Sequence, residues 1–216
     1  RDRALQSIYP HHRHHTMIAS PQLPLTAEEY LQLEAQSPTK HEYMDGEVYA
    51  MAGASDTHVT IAGNLFALLR NHLRGSGCRV YIADMKACIE TRNCFYYPDV
   101  MVTCAPQDQE TPTYKRFPKL IVEVLSDSTE AFDRGDKFAN YQTLASLEEY
   151  VLINTRHQRV ECFRRNAEGL WVLQSYTPET NRFELHSVDF AATLAMVYED
   201  AVLEPTHPAP DQTSQD

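Results

Sequence analysis

The run CFYYPDVMV, residues 94–102, constrains the fold strongly because it sets one carboxylate inside an apolar, strand-like stretch. Burying an unpaired charge is among the most unfavourable events in folding. Asp99 directly follows Pro98, and proline lacks the N–H that the interior of a sheet requires, so an edge, a bulge or a strand start is expected here. Asp99 is therefore predicted to lie where a strand opens, within reach of a partner for its charge.

A second apolar segment, LIVEVLS, repeats this pattern with Glu123. If the two strands are neighbours, the two carboxylates can meet on one face, where they repel each other unless one is protonated or a cation bridges them. Oxygen ligands of this kind suit Mg²⁺ or Mn²⁺, which keep several waters for a phosphate to displace. The alternative is that both acids reach solvent or pair with Lys or Arg at the strand ends.

A lysine follows these acids in the predicted helix DRGDKFANYQTL. Lys137 lies near the start of this helix, and Tyr141 follows one turn later on the same face. A lysine directed at a metal-bound water can orient or deprotonate it, and can offset the charge that develops on a phosphate. The alternative is a solvated lysine that pairs with Asp133, four residues earlier.

The remaining patterns predict an α/β domain with a mixed β-sheet flanked by helices. Asp45-Gly46 between extended residues predicts a hairpin near the amino-terminal end of the domain. Helical spacing in SDTHVTIAGNLFALLRNHL predicts a long amphipathic helix. Strand-like segments on both sides of a helix over about residues 133–147 predict a parallel βαβ unit. The segments RVECFRR, LWVLQSY and RFELHS predict a carboxy-terminal antiparallel meander.

Domain organisation follows from where these patterns begin and end. Residues 1–24 contain HHRHH and no sustained period, so we predict a disordered leader. Residues 25–203 are predicted to form a single domain, and residues 204–216 a flexible tail. The lack of a long apolar run predicts a cytoplasmic protein with no membrane association.

Charge and cysteine content narrow the function classes. The sequence has 19 basic and 30 acidic residues, a formal charge of −11, which opposes nonspecific binding of a polyanion through overall charge. Any such affinity would have to be local or assisted by a cation. The five cysteines are odd in number and form no C-x-x-C pair, so buried free thiols are predicted.

Taken in order, these segments resemble the PD-(D/E)XK nuclease superfamily, and more closely its Uma-type family. The resemblance spans Leu25 to Asn154 and rests on LTAEEYLQLE, KHEYMDGEVYAMAG, HVTIAGNL, YYPDVMV, KLIVEVLSDST, DKFANYQTL and EEYVLIN. It implies a restriction-endonuclease-like core. It also implies a metal site for Mg²⁺ or Mn²⁺ formed by Glu42, Asp99, Glu123 and the carbonyl of Val124.

The sequence departs from the superfamily pattern at one position. The residue two after Glu123 is Leu125 and not lysine, so the resemblance makes Lys137 the candidate catalytic lysine. Tyr141 is a secondary candidate on the same helix face. Two further secondary candidates are His58, at the start of the long helix, which could touch substrate or metal or be structural, and Asp84, which could support the site or form an ion pair with Lys86.

The resemblance implies a Mg²⁺-dependent endonuclease that hydrolyses phosphodiester bonds of DNA and acts as a homodimer. Two alternatives stay open. One is a nuclease fold that has lost turnover and serves as a binding or assembly module. The other is a nuclease that acts on RNA or on a branched nucleic acid.

Overall fold

The structure is a computed structural model that describes residues 24–205. The predicted leader lies outside the described residues except for Pro24, and so does the predicted tail beyond Pro205. The first residue of that tail, Glu204, donates its N–H to the carbonyl of Thr155 at 3.0 Å and accepts the Thr155 hydroxyl at 3.0 Å. None of the helices within residues 24–205 is long and apolar enough to cross a membrane.

The described chain contains helices and strands with the following bounds. The helices are α1 (Ala27–Glu34), α2 (Asp56–His72), α3 (Glu130–Arg134), α4 (Asp136–Tyr141) and α5 (Leu194–Val197). The strands are β1 (His41–Met44), β2 (Glu47–Ala50), β3 (Arg79–Ile82), β4 (Lys86–Ile89), β5 (Cys94–Tyr96), β6 (Val100–Thr103), β7 (Tyr114–Lys115), β8 (Pro118–Val124), β9 (Glu149–Ile153), β10 (Val160–Arg165), β11 (Trp171–Tyr176), β12 (Arg182–Leu185) and β13 (Phe190–Thr193).

The largest sheet has six strands in the order β11-β10-β9-β8-β6-β3. Strands β8 and β9 run parallel, with Glu123 opposite Leu152, and the other neighbours are antiparallel. The connection from β8 to β9 carries α3 and α4, so the predicted parallel βαβ unit is confirmed. The predicted α/β class, a mixed sheet flanked by helices, is confirmed as well.

Side chains of β8 alternate between two apolar layers because strand residues point to opposite faces. Val122 packs in one layer with Leu65 of α2, and Ile121 packs in the other with Tyr141 of α4. The sheet is therefore enclosed by α2 on one face and α4 on the other. Glu123 shares the face of Ile121 and is 3% exposed, so its charge must be met by neighbouring groups.

A second sheet has five strands in the order β2-β1-β5-β4-β7. Its edge is the hairpin of β1 and β2, which confirms the prediction at Asp45-Gly46. Asp45 has φ 46° and Gly46 has φ 101°, the positive values that a two-residue hairpin turn demands. On one side of the hairpin Tyr43 stacks on Tyr30 of α1, with ring centroids 5.0 Å apart.

Gly46→Ala should destabilise the domain more than the same change at Gly169. Both glycines have positive φ, which costs an alanine roughly 1 kcal/mol. At Gly46 a new Cβ would also lie 2.4 Å from Cβ of Pro24, whereas nothing lies within 4 Å at Gly169. Urea unfolding should show a loss for Gly46→Ala at least about twice that for Gly169→Ala. Equal losses would mean that Pro24 does not pack on the turn.

Two predicted elements differ from the structure. The helix expected over about residues 133–147 is two short helices separated by Gly135, and residues after Tyr141 form turns. The meander is present as β10 and β11, but its third segment, β12, pairs with β13 in a separate two-stranded sheet. Strand β12 pairs with the strand that directly follows it and not with β11, because the strand-like pattern of a segment does not specify which neighbour it pairs with.

The prediction that all five cysteines are free thiols is wrong for two of them. Cys78 and Cys104 form a disulfide, whereas Cys88, Cys94 and Cys162 are free and buried. The pairing is produced by the antiparallel register of β3 and β6. That register sets Arg79 opposite Thr103, so the residues that flank this pair face each other.

Candidate active site

Asp99 lies at one of the points where the chain passes from the smaller sheet to the larger one. Strand β5 of the smaller sheet ends at Tyr96 and β6 of the larger sheet begins at Val100, so residues 97–99 bridge the two. Pro98 occupies the gap, where its missing N–H breaks no ladder bond. The prediction that a strand opens at Asp99 is confirmed, and its side chain is 19% exposed.

Asp99 and Glu123 hold each other in place through the backbone. The N–H of Val124 donates to Oδ2 of Asp99 at 2.7 Å, and the N–H of Asp99 donates to Oε2 of Glu123 at 3.3 Å. Each carboxylate thus accepts a hydrogen bond from the chain segment that carries the other. These reciprocal bonds keep the two acids next to each other, as expected if their strands are neighbours, and β6 and β8 are paired.

His58 reaches Asp99 from α2, which packs on the face of the large sheet opposite Glu123. It lies in the first turn of α2, where its N–H donates to the side chain of the N-cap residue Ser55 at 3.3 Å. Its Nε2 lies 3.1 Å from Oδ2 of Asp99, and its buried Nδ1 has no hydrogen-bond partner within the described residues. An orphaned imidazole nitrogen beside a strand-end acid is a feature that folding alone does not require.

Lys137 contacts three carboxylates at once. Its Nζ lies 3.0 Å from Oε1 of Glu123, 3.1 Å from Oε1 of Glu42 and 3.4 Å from Oδ1 of Asp133. Lys137, Glu123 and Asp133 are each at most 6% exposed, so the ammonium and two of its partners are out of water. The predicted pairing with Asp133 is present, but the predicted solvated position is wrong, because Lys137 is buried beside the acids of the strands.

The break between α3 and α4 directs Lys137 inward. Gly135 separates the two helices with φ −110° and ψ −107°, values outside the helical region. The helix that begins at Asp136 buries Lys137, Phe138 and Tyr141 against the sheet. Phe138 stacks on Tyr150 with ring centroids 4.5 Å apart, which anchors the turn that carries the lysine.

Burial and mutual charge set the protonation of this group. Burial raises the pKa of Glu123 well above its ordinary value, and the neighbouring Lys137 offsets that rise only in part. Burial likewise raises the pKa of Asp133. For Lys137 burial favours the neutral form, but Glu123, Glu42 and Asp133 together outweigh it and raise the pKa well above the usual lysine value. Lys137 therefore keeps its proton.

The pKa of the His58 imidazole is also raised. Burial lowers its pKa, but the hydrogen bond to Asp99 and the charge of that carboxylate outweigh burial, so the pKa of His58 is raised above its ordinary value. Asp99 therefore acts on His58 in the same direction as the three carboxylates act on Lys137.

Two tyrosines fix the acids that contact Lys137. The hydroxyl of Tyr141 donates to Oε1 of Glu123 at 3.2 Å, and the backbone N–H of Tyr97 donates to Oε1 of Glu42 at 3.1 Å. Glu42 therefore reaches the cluster from the hairpin of the smaller sheet. From the sequence, Asp133 was considered only as an ion-pair partner of Lys137 within one helix. Its i, i+4 spacing to Lys137 is the sequence signal that could have indicated its position in the cluster.

Asp84 is not brought to this cluster. It is exposed and forms an ion pair with Lys40. The alternative pairing with Lys86 is wrong, because Nζ of Lys86 donates to the hydroxyl of Tyr97 at 3.1 Å. A backbone turn with Ala83 at φ 51° separates β3 from β4, so residues 84 and 86 do not share one continuous strand face.

The donor set is compatible with a hard divalent cation. Asp99 and Glu123 supply carboxylate oxygens, and a backbone N–H holds one oxygen of each. Within residues 24–205 no three His, Cys, Asp or Glu side chains form a metal-ligand group. Mg²⁺ is commonly held by one or two carboxylates with waters completing the shell, so two acids suffice for it.

Comparison with known sequences places the chain in a family. The sequence model of the Uma2 family, described as "Putative restriction endonuclease", matches residues 27–196. The uncharacterized protein slr1290 of Synechocystis is 39% identical over 186 residues, which cover 84% of this chain and 97% of that protein. A second uncharacterized Synechocystis protein, sll1609, is 36% identical over 163 residues, covering 74% and 92% respectively.

A solved structure shares the fold. It is the crystal structure of a "putative nuclease belonging to DUF820" from Anabaena variabilis, with a TM-score of 0.67, 14% identity, and coverage of 81% of this chain and 98% of that one. At this identity the likeness concerns the fold alone. Because the family model covers most of the chain and both relatives are at least 36% identical to it over the aligned residues, this protein belongs to the Uma2 family of restriction-endonuclease-like proteins.

Proposed function

We propose that this protein is a Mg²⁺- or Mn²⁺-dependent endonuclease that hydrolyses phosphodiester bonds of DNA. The observation that carries the proposal is the meeting of Glu42, Asp99, Glu123 and Lys137, from four separate segments, in one partly buried cluster. Asp99 and Glu123 are the proposed metal ligands, with the carbonyl of Val124 and Glu42 nearby. Bound there, the cation would supply Lewis-acid charge and a water of lowered pKa.

Lys137 serves in this proposal as a fixed positive charge. A lysine whose pKa is raised keeps its proton at neutral pH, so it is a poor general base. As an ammonium it donates hydrogen bonds and stabilises negative charge that develops on the phosphate. This choice refines the sequence-based hypothesis, which left open whether Lys137 orients a water or deprotonates it.

Other residues of the cluster position the proposed ligands. His58 contacts the same oxygen of Asp99 that Val124 binds, and Tyr141 donates to Glu123. Both contacts limit the rotation of a carboxylate that must face a cation. We also propose, from the superfamily resemblance, that two copies form a homodimer around the DNA.

Calorimetric titration with Mn²⁺ tests the proposed metal site. The wild-type protein should bind Mn²⁺, and Glu123→Gln should weaken binding at least about tenfold because it removes a charged ligand. Glu148→Gln is the matched control, since Glu148 is 53% exposed and pairs with Lys119 on the surface. It should bind Mn²⁺ as the wild type does.

Two outcomes would contradict the proposal. Absence of Mn²⁺ binding by the wild type would favour a binding or assembly module without turnover. The protein could also fail to cut plasmid, linear or single-stranded DNA with Mg²⁺ or Mn²⁺ but cleave RNA or branched substrates. In that case the substrate would be RNA or a branched nucleic acid and not DNA. Light scattering of the purified chain measures the proposed homodimer separately.

A further inference from the structure

The hairpin that supplies Glu42 presents other side chains on the same face. Alternation along β1 sets Lys40, which directly precedes the strand, on the face of Glu42. The register of the hairpin pairs Glu42 with Tyr49 of β2, so the tyrosine shares that face too. Directly opposite residues have Cβ atoms roughly 5 Å apart. A lysine and a tyrosine therefore flank the acid that contacts Lys137.

Tyr49 is an aromatic side chain with little apolar packing. It is 45% exposed, it belongs to none of the apolar clusters within residues 24–205, and its hydroxyl contacts the carboxylate of Glu47 on the same strand face. On the opposite face of the hairpin the ring of Tyr43 is fully buried beneath α1, although its cross-strand partner Val48 is 38% exposed. The exposed ring is thus confined to the side of the hairpin that faces the candidate site.

Lys40 lies at the other end of this face. Its side chain is 43% exposed, and its Nζ is 5.9 Å from the ring centroid of Tyr97, the residue whose N–H holds Glu42. It pairs with the exposed Asp84, and ion pairs between exposed side chains contribute little to stability. A phosphate can therefore compete with Asp84 for Lys40 at small cost.

We infer that this hairpin face, formed by Lys40, Glu42 and Tyr49, binds a single-stranded segment of the nucleic-acid substrate beside the scissile phosphodiester. Lys40 would contact a backbone phosphate and Tyr49 would stack on an unpaired base. The inference rests on the proposed nuclease function. It specifies further that the nucleic acid next to the site is single-stranded.

The chemistry favours a single strand over a duplex. A cation next to an exposed aromatic ring is the combination by which proteins bind unpaired nucleotides, because every base offers a face for stacking. Bases in an intact duplex are stacked on each other and cannot reach a ring at the rim of a site. The acidic Glu47, next to Tyr49 on the same face, disfavours a phosphate near the tyrosine ring. The nucleic-acid strand would therefore place a base over this ring.

Fluorescence anisotropy with a labelled single-stranded DNA of about 15 nucleotides tests this inference. All variants are made in the Asp99→Asn background with Mg²⁺ present, so that binding is measured without turnover. Tyr49→Ala should weaken binding about tenfold or more, and Tyr49→Phe should retain it, because the ring and not the hydroxyl makes the contact. Phe117→Ala removes another exposed ring, 40% exposed, and should leave binding unchanged.

The salt dependence of binding tests Lys40 separately. Lys40→Ala should reduce the slope of log K against log salt by about 0.7, the value for one phosphate contact on a single strand. Lys119→Ala is the control, because Lys119 also forms a surface ion pair, at 3.5 Å from Glu148, away from the hairpin. The slope for Lys119→Ala should equal the slope for the Asp99→Asn protein in which both variants are made.

Unchanged binding by Tyr49→Ala in a protein that cuts DNA would overturn this inference and leave the proposed function standing. Loss of self-association in Tyr49→Ala with unchanged DNA binding would also overturn it, since the face would then be a contact between two copies. A wild-type protein that binds the oligonucleotide through Tyr49 but cuts no nucleic acid would support the binding face and contradict the proposed function.

Discussion

Asp99→Asn should lower DNA cleavage by at least about a hundredfold while the domain stays folded. The change removes the charge of a proposed metal ligand, and losing one electrostatic contact to a transition state costs roughly 10²- to 10³-fold in rate. An asparagine oxygen can still accept the N–H of Val124, which now donates to Oδ2 of Asp99 at 2.7 Å. Single-turnover cleavage with Mg²⁺, together with circular dichroism, measures both parts of the expectation.

Asp136→Asn is the matched control for this experiment. Asp136 is an exposed aspartate next to Lys137, so the substitution makes the same chemical change close to the site without touching the proposed ligands. Its cleavage rate should remain within about twofold of the wild type, whereas a hundredfold loss is expected at Asp99. Full cleavage by Asp99→Asn would exclude this residue as a metal ligand and with it the proposed site.

Lys137→Met should destabilise the protein by about 3–5 kcal/mol at neutral pH, because it leaves buried carboxylates without their cation. Nζ of Lys137 lies within 3.4 Å of an oxygen of Glu42, Glu123 and Asp133. Methionine keeps the apolar stem and removes only the charge and its hydrogen bonds. The change in the free energy of unfolding in urea measures the loss.

The pH dependence of this loss has a definite sign. The pKa of Glu123 and that of Asp133 are raised above 4.5 and 3.8, their ordinary values, chiefly by burial. A group with a raised folded pKa contributes stability that is present below the unfolded pKa and is lost as pH rises through the folded pKa. Without Lys137 the two groups hold protons more tightly still, so the deficit of Lys137→Met should be smaller at about pH 5 than at about pH 8.

Two further variants test that explanation. Lys119→Met removes a lysine from a surface pair 3.5 Å from Glu148, and should cost less than about 1 kcal/mol. Adding Glu123→Gln to Lys137→Met should recover part of the lost stability, because it removes one of the uncompensated buried charges. A loss that is independent of pH, or that equals the loss in Lys119→Met, would show that Lys137 does not neutralise the cluster.

Much of the candidate site could be derived from local sequence. Pro98 before Asp99 predicted a break in a strand, and the structure has a crossing between the two sheets there. The apolar residues around Glu123 predicted its burial and therefore a need for neighbouring charge. The two-residue turn at Asp45-Gly46 also determines that residue 42 faces residue 49, so the position of Tyr49 beside Glu42 was already contained in the sequence.

Other features required the tertiary structure. Spacing alone could pair Lys137 with Asp133, but the approach of Glu42 and Glu123 depends on how the hairpin, β8 and α4 pack together. The disulfide between Cys78 and Cys104 depends on the register of β3 against β6. Neither relation has a local sequence signal.

By itself the sequence determined the strand break at Pro98, the hairpin register and the two acids that apolar strands must bury, because each follows from backbone geometry or desolvation within a few residues. The tertiary structure alone decided that the ammonium of Lys137 also lies beside Glu42 and Glu123, and that Asp84 lies apart from this cluster. These arrangements are set by contacts between segments separated by tens of residues, and the energy of a buried charge depends on which groups those contacts bring within a few ångströms.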